Sequence, residues 1–349
     1  MKKYLSLLLI LFSALPAFTQ TTRDSLLNAV AGYTQLVYRA ADTFLNTRFP
    51  QAVRLEAIGK YSLVYDPEQV AGFKRAVIAE NEPPEIRAMA LNKIYQYAEN
   101  DEQLLAQVLQ WLGNSRTPKP LRNETLDLVH ALSFTSLPGK LEVYDKILTD
   151  PDARYRLFAA SKLMANGDQR TQQLLVSVLE DSATALFTPL QAIALLSLAP
   201  KKEFYPAVYK ILQQAGNEDT RLAALETLGA YTPAREKIIS ISRDPNEKEI
   251  FREAALMALY SGDKENIVGY VSPILNDKTA SSRLQILCIQ MTIDQRRSMA
   301  YRRSKKARRA DEYDLLVKSF ADGSTVNNDE ALKKIAEKYL LLVKPALPQ

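Results

Sequence analysis

The chain has 349 residues, 47% hydrophobic and 24% charged, with a formal net charge of +5. A single cysteine, Cys288, excludes an intrachain disulfide, and a single histidine, His130, excludes a histidine-rich catalytic zinc centre. Only 11 glycines occur, alanine and leucine are abundant, and the length exceeds what one compact core supports, so a helical, extended architecture is indicated.

Taken in order, the chain opens with Lys2 and Lys3 ahead of an apolar run from Leu5 to Phe12, extended by Ala14, Leu15 and Ala17. The run suits the core of a signal peptide and is shorter than the roughly 20 residues of a spanning helix. Residues 1–20 are expected to be a signal peptide, cut between Ala17 and Gln20, that exports the chain to a bacterial periplasm. An uncleaved anchor is the alternative. No cysteine follows the apolar core, so a lipoprotein anchor has no point of attachment.

Residues 21–50 form the expected N-terminal cap. Its helix runs from Thr22 to Asn46, with Leu26, Leu27, Val30 and Tyr33 as the buried face. Residues 51–293 then repeat one unit, clearest from Asp150 to Asp181. Asp150-Pro151 stops the preceding helix, because proline cannot continue it. From Ala153, Leu157, Ala160, Leu163 and Met164 share a helical face. Asn166-Gly167-Asp168 ends that helix, the glycine being free to turn left-handed. Leu174, Leu175, Val178 and Leu179 line a second helix. Neither helix is long enough to stand alone in water, so the pair requires neighbours of its own kind.

An arginine followed three positions later by a small or apolar residue marks each unit. The marker recurs as Arg54/Ala57, Arg87/Ala90, Arg122/Thr125, Arg156/Ala159, Arg221/Ala224, Arg252/Ala255 and Arg283/Ile286. Pro189/Ala192 fills the fifth slot without an arginine, and successive steps span 31 to 35 residues. Helices ahead of the arginine-bearing ones are expected at Glu68–Ala79, Glu102–Leu112, Leu141–Leu148, Phe204–Gln213 and Glu265–Leu275.

The series Asp150-Pro151-Asp152, Arg156, Ala159-Ala160, Leu163 and Gly167-Asp168, repeated in Arg252–Asp263 and Arg221–Gly229, resembles the HEAT-repeat family, in particular its short phycobilisome-lyase-type members. The resemblance spans roughly Gln35 to Thr292. It implies an all-α, right-handed α-α superhelix with helical caps. It also implies that each marker arginine bonds an acid or amide six positions earlier, forming a ladder between repeats. Asn81, Asp150, Asn246 and Asp277 supply that partner to Arg87, Arg156, Arg252 and Arg283, whereas the other markers lack one. Ligand contact is the other reading of these arginines.

The same family lines its inner face with the second helix of each pair. Positions five and six after each marker are therefore the expected groove contacts: Gly59/Lys60, Asn92/Lys93, Asp127/Leu128, Ser161/Lys162, Glu226/Thr227 and Met257/Ala258. Among these, Lys60, Asn92, Lys93, Asp127, Ser161, Lys162 and Glu226 are polar and suit a protein or peptide. Helical-repeat enzymes that hold iron with paired His-Glu motifs need histidines this chain lacks. His130, in LDLVHAL, reads as a structural or surface residue, and Cys288, in LQILCIQM, as a small buried apolar one.

Residues 294–349 depart from the repeat. Arg296, Arg297, Arg302, Arg303, Lys305, Lys306, Arg308 and Arg309 place eight cations in 14 residues. Taking these eight and Lys2 and Lys3 from the net +5 leaves −5 on everything else, so the positive charge is local. The run reads either as a solvated segment or as an anion- or partner-binding site. Export and a lone Tyr301 argue against nucleic acid. A last helix is expected from Asp329 to Val343, with Leu332, Ile335, Ala336, Tyr339 and Val343 inward and Asn328 as its cap.

These features predict a non-enzymatic interaction scaffold of the periplasm. It holds a protein or peptide along the concave face or against the basic end, with no cofactor and no metal. Attachment to an anionic envelope surface is the alternative, and a carboxylate-pair hydrolase ranks behind both.

Overall fold

The computed structural model describes residues 20–61, 64, 66–132, 138–180, 186–214, 216–297, 312–324 and 329–343, with side chains from residue 28 to 342 within these. Among them are 19 α-helices and no strand. No described helix is long and apolar enough to cross a membrane. Residues 1–19 of the expected signal segment lie outside the described residues.

The chain divides into two compact units, Met1–Ala159 and Ala160–Gln349. The first holds α1 (Gln20–Leu45), α2 (Gln51–Gly59), α3 (Pro67–Ile78), α4 (Pro84–Lys93), α5 (Tyr95–Ala98), α6 (Glu102–Leu112), α7 (Lys119–Ala131) and α8 (Lys140–Ile147). The division falls inside α9 (Ala153–Ala165). The second unit holds α10 (Gln169–Glu180), α11 (Pro189–Leu196), α12 (Tyr205–Gln214), α13 (Glu218–Thr227), α14 (Arg235–Arg243), α15 (Glu249–Gly262), α16 (Ile267–Leu275), α17 (Ser282–Arg297), α18 (Glu312–Ala321) and α19 (Glu330–Val343).

Several helices are started by local chemistry. Asp66, Asp101 and Asn217 accept amide hydrogens from the first turns of α3, α6 and α13, and Thr188 with Gln191 closes a capping box on α11. Proline occupies the first turn of α3, α4, α7 and α11, where no partner for its missing N–H is needed. Gly167 ends α9 with φ 76°, and Asp168 N–H returns to the Leu163 carbonyl at 3.0 Å.

In the first unit α1 packs on α2, α3 on α4 and α6 on α7, while α2 also touches α4, α4 touches α7, and α6 touches α8. The second unit repeats this, with α12 on α13, α14 on α15, α16 on α17, and α11, α13, α15 and α17 in contact in turn. First helices thus stack on first helices and second on second, the signature of an all-α solenoid. The marker explains the fit: Ala90, Thr125, Ala159, Ala192, Ala224 and Ala255 are all fully buried. A small side chain three residues after each marker lets neighbouring second helices approach. Between layers sit larger groups such as Phe73, fully buried and stacked on Phe44 at 4.8 Å.

All eight markers fall on second helices, and the expected first helices agree with α3, α6, α8, α12 and α16 within a few residues. Three expectations need correction. On α1 the packed stripe is Val37, Ala40, Ala41 and Phe44, whereas Val30 and Tyr33 are exposed. The side chains of Leu26 and Leu27 lie outside the described residues. The physical reason is length: α1 spans 26 residues and α2 only 9, so only the last turns of α1 find a partner. The C-terminal cap contains a helix not anticipated, α18, which packs on α19. Finally, Asp329 caps α19, accepting from Ala331 N–H and Leu332 N–H at 2.8 and 3.2 Å, while Asn328 lies outside the described residues. Leu332, Ala336 and Tyr339 are fully buried.

Candidate protein-binding face

Most marker arginines tie their repeat together, and several also tie it to the next. Nε of Arg54, Arg87, Arg122 and Arg252 donates to the carbonyl ten residues earlier, on Phe44, Val77, Leu112 and Ser242, at 2.6, 2.9, 3.0 and 3.2 Å. Each acceptor lies in the last turn of the preceding first helix, whose carbonyls have no partner within the helix. A cation there also meets the negative end of the helix dipole.

The remaining guanidinium nitrogens reach forward. Arg54 grips Glu82 with two bonds of 2.7 and 2.8 Å. Arg122 bonds the Asp150 carboxylate, Arg221 holds Glu247 through both Nη atoms, and Arg252 lies 3.5 Å from Asp277. Rings complete the pocket. Arg54, Arg87, Arg122 and Arg221 lie over Phe44, Trp111, Tyr155 and Phe251 at 5.6, 5.1, 3.9 and 4.5 Å. Tyr155 and Phe251 each stand one residue before the next marker.

The ladder therefore runs opposite to the expected sense. Asp150 and Asp277 are ladder acids, but their carboxylates serve the arginine of the preceding repeat. Arg156 bonds the main-chain carbonyls of Asp150 and Pro151 at 2.7 and 2.8 Å. Arg283 is held by Glu253 on the surface, its side chain 78% exposed. Arg54, Arg122 and Arg221, which lack an acid six positions earlier, are among the most firmly held. The missed signal was an acid 25 to 28 residues after the marker. Arg87 has no such acid. Burial pushes its guanidinium pKa down, with Glu80 opposing.

The opposite side of most second helices is at least partly open to water. Five residues after the markers, Gly59, Asp127, Ala194, Glu226 and Met257 are exposed, Asn92 and Ser161 half-buried, and Cys288 buried. The row at position six was also expected there and is largely not. Lys93, Leu128 and Ala258 are buried, Lys162 and Thr227 half-buried, and only Lys60 is exposed. One further residue turns the side chain by about 100° on a helix of 3.6 residues per turn, which carries it into the layer contact. Lys93 Nζ donates to the Tyr61 carbonyl at 2.5 Å, and burial lowers its pKa against the pull of Glu124.

Polar pairs stitch this face from helix to helix. Gln51 donates to Glu85, Asn92 to Glu124 and Arg154 to Asp127, at 3.1, 2.8 and 2.6 Å. Tyr95 also donates to Glu124, and burial followed by that bond raises its phenol pKa. In the second unit Ser197 meets Thr227 at 3.3 Å, Lys248 meets Glu218, and Arg283 meets Glu253. Between these pairs Leu190, Leu198, Ile250 and Met257 remain 37–54% exposed.

The basic cluster is only partly a surface feature. Arg296 is 5% exposed, lies 3.5 Å from the fully buried Asp314 and sits over Tyr339 at 5.3 Å. Tyr339 Oη donates to Asp314 at 2.7 Å. Its proposed anion-binding role is therefore replaced by an internal one, because α17 extends to Arg297 and turns Arg296 onto the C-terminal pair. Arg297 is exposed, and Arg302, Arg303, Lys305, Lys306, Arg308 and Arg309 lie outside the described residues.

His130 is exposed and edge-on to Phe158, with centroids 6.0 Å apart. Cys288 is buried, which pushes its thiol pKa up. Among the described residues no three His, Cys, Asp or Glu side chains gather as metal ligands. A cleft of about 480 Å³ lies on the first-helix side, lined by Gln169, Gln172, Gln173, Glu180, Lys201 and Glu203. A smaller one of about 340 Å³ lies on the second-helix side, lined by Ser197, Pro200, Glu226 and Thr227. No model of a known protein family matches the chain, and no curated protein matches it.

Proposed function

We propose that the chain is an exported, non-enzymatic HEAT-like scaffold of the bacterial periplasm that docks a protein partner on its second helices. The observation that carries this reading is that Leu190 and Leu198 at α11 and Ile250 and Met257 on α15 are exposed on the water-facing side of second helices whose opposite sides are packed. Burying such side chains in a partner releases about 25 cal/mol per Å² of apolar area. The polar pairs around them would form the rim that excludes water. The repeat series and the apolar leader support the HEAT-like and exported parts of the reading.

The test is crosslinking in the native cell envelope followed by affinity purification of the tagged chain. A specific companion should be recovered with the wild type and be lost with Leu198→Asp and Met257→Asp together. Equal recovery with that variant, or no companion after crosslinking, overturns the reading.

A further inference from the structure

Four exposed apolar side chains of the second unit, Leu190 and Leu198 at α11 and Ile250 and Met257 on α15, flank the helix that carries Glu226. Leu190, Ala194 and Leu198 follow at four-residue spacing and share one side of α11 and the turn after it. Ile250 and Met257, seven residues apart, share one side of α15. Between them α13 presents small or polar groups, Ala223, Glu226 and Thr227. α13 touches both neighbours. The Ser197–Thr227 contact at 3.3 Å ties it to α11. On the other side glycines bring backbones together: a Cβ on Gly229 would stand 2.3 Å from the Ala258 carbonyl oxygen. The result is a floor of small residues between two apolar ridges, with the Ser197, Pro200, Glu226 and Thr227 depression opening into it.

Glu226 has no partner among the described residues, whereas nearby Glu218, Glu247 and Glu253 are each held by Lys248, Arg221 and Arg283. We propose that this channel binds a peptide segment of the partner carrying a lysine or arginine between apolar side chains, with the cation seated on Glu226. The aliphatic stem of the incoming side chain would lie along Leu198 and Met257 while its head reaches the carboxylate. This rests on the scaffold reading and adds the chemistry of what is docked.

The test is selection of random peptides displayed on phage against the full mature chain, repeated on Glu226→Lys. Peptides enriched on the wild type should carry a basic residue flanked by apolar ones. Synthetic copies should bind Glu226→Lys about tenfold or more weakly by fluorescence anisotropy, and less tightly at high salt. Leu198→Ala with Met257→Ala should weaken them as well. Unchanged circular dichroism confirms that the exposed substitutions leave the fold intact. Enriched peptides without a cation, or equal binding to Glu226→Lys, overturn this proposal and leave the scaffold reading standing. Recovery of no peptides overturns it too. If sedimentation shows an oligomer that Glu226→Lys dissociates, the occupant is a second copy of the chain, and the peptide assignment fails.

Discussion

Arg122 and Asp150 stand 28 residues apart and close one repeat onto the next, with side chains only 5% and 3% exposed. Asp150 does two things at once. One carboxylate oxygen accepts Asp152 N–H at 2.9 Å and shapes the turn, and the other meets Arg122. Removing one member of a buried pair leaves an uncompensated charge, so Asp150→Ala should cost about 3–5 kcal/mol in urea unfolding. The exposed pair Arg154–Asp127, at 48% and 53% exposure, is the control. Asp127→Ala should cost less than about 1 kcal/mol. Equal losses for the two would mean that the ladder contributes nothing beyond surface pairing.

That pair also illustrates what a sequence discloses. The marker spacing located every second helix, because a small residue three positions after an arginine is a local pattern fixed by helix packing. The partner of the arginine is not local. Asp150 lies six residues before Arg156 and 28 after Arg122, and only the stacking of repeats decides which it serves. The same holds for Lys93 and Arg296, which read as surface cations until neighbouring helices cover them. The resemblance offered positions five and six together as the groove face, and only the packing of neighbouring helices separates the mostly exposed fifth position from the mostly covered sixth.

Close backbone approach gives a second prediction. A Cβ on Gly262 would stand 1.7 Å from the Gly229 carbonyl oxygen, backbone that cannot move aside like a side chain. Gly262→Ala should therefore force α15 from the segment after α13 and cost about 1–3 kcal/mol. On α16, nothing lies within 4 Å of a Cβ on Gly269. Gly269→Ala should gain about 0.5–1 kcal/mol from helix propensity. Thermal melts of the two variants should shift in opposite directions.

Acid should loosen the ladder. Hydrogen bonds from Arg221 hold the Glu247 carboxyl below its ordinary 4.5, and hydrogen bonds from Thr279 hold Asp277 below its ordinary 3.8. A carboxyl with a lowered folded pKa binds fewer protons folded than unfolded in that window. Its stabilisation is complete above the ordinary value and fades as pH falls through the folded one. Stability measured by urea should be level between pH 7 and pH 5 for these groups and decline below about pH 4.5. Glu247→Gln should make that decline shallower, and an unaltered acid limb would count against the Arg221 pairing.

The C-terminal pair offers the sharpest contrast with a surface reading of the basic run. Arg296, Asp314 and Tyr339 form one buried network, and Tyr313 Oη lies 2.8 Å from Thr292 Oγ1 beside it. Tyr339→Phe removes one hydrogen bond to a charged acceptor and should cost about 1.5–3 kcal/mol. Arg296→Gln removes the charge that faces the buried Asp314 and should cost more, exposing the α18–α19 segment to limited proteolysis. Arg297, one residue on and exposed, should tolerate the same change with a loss under about 0.5 kcal/mol. If instead both arginine variants kept full stability and lost binding to anionic vesicles alike, Arg296 would belong to the surface and the network would have no structural role.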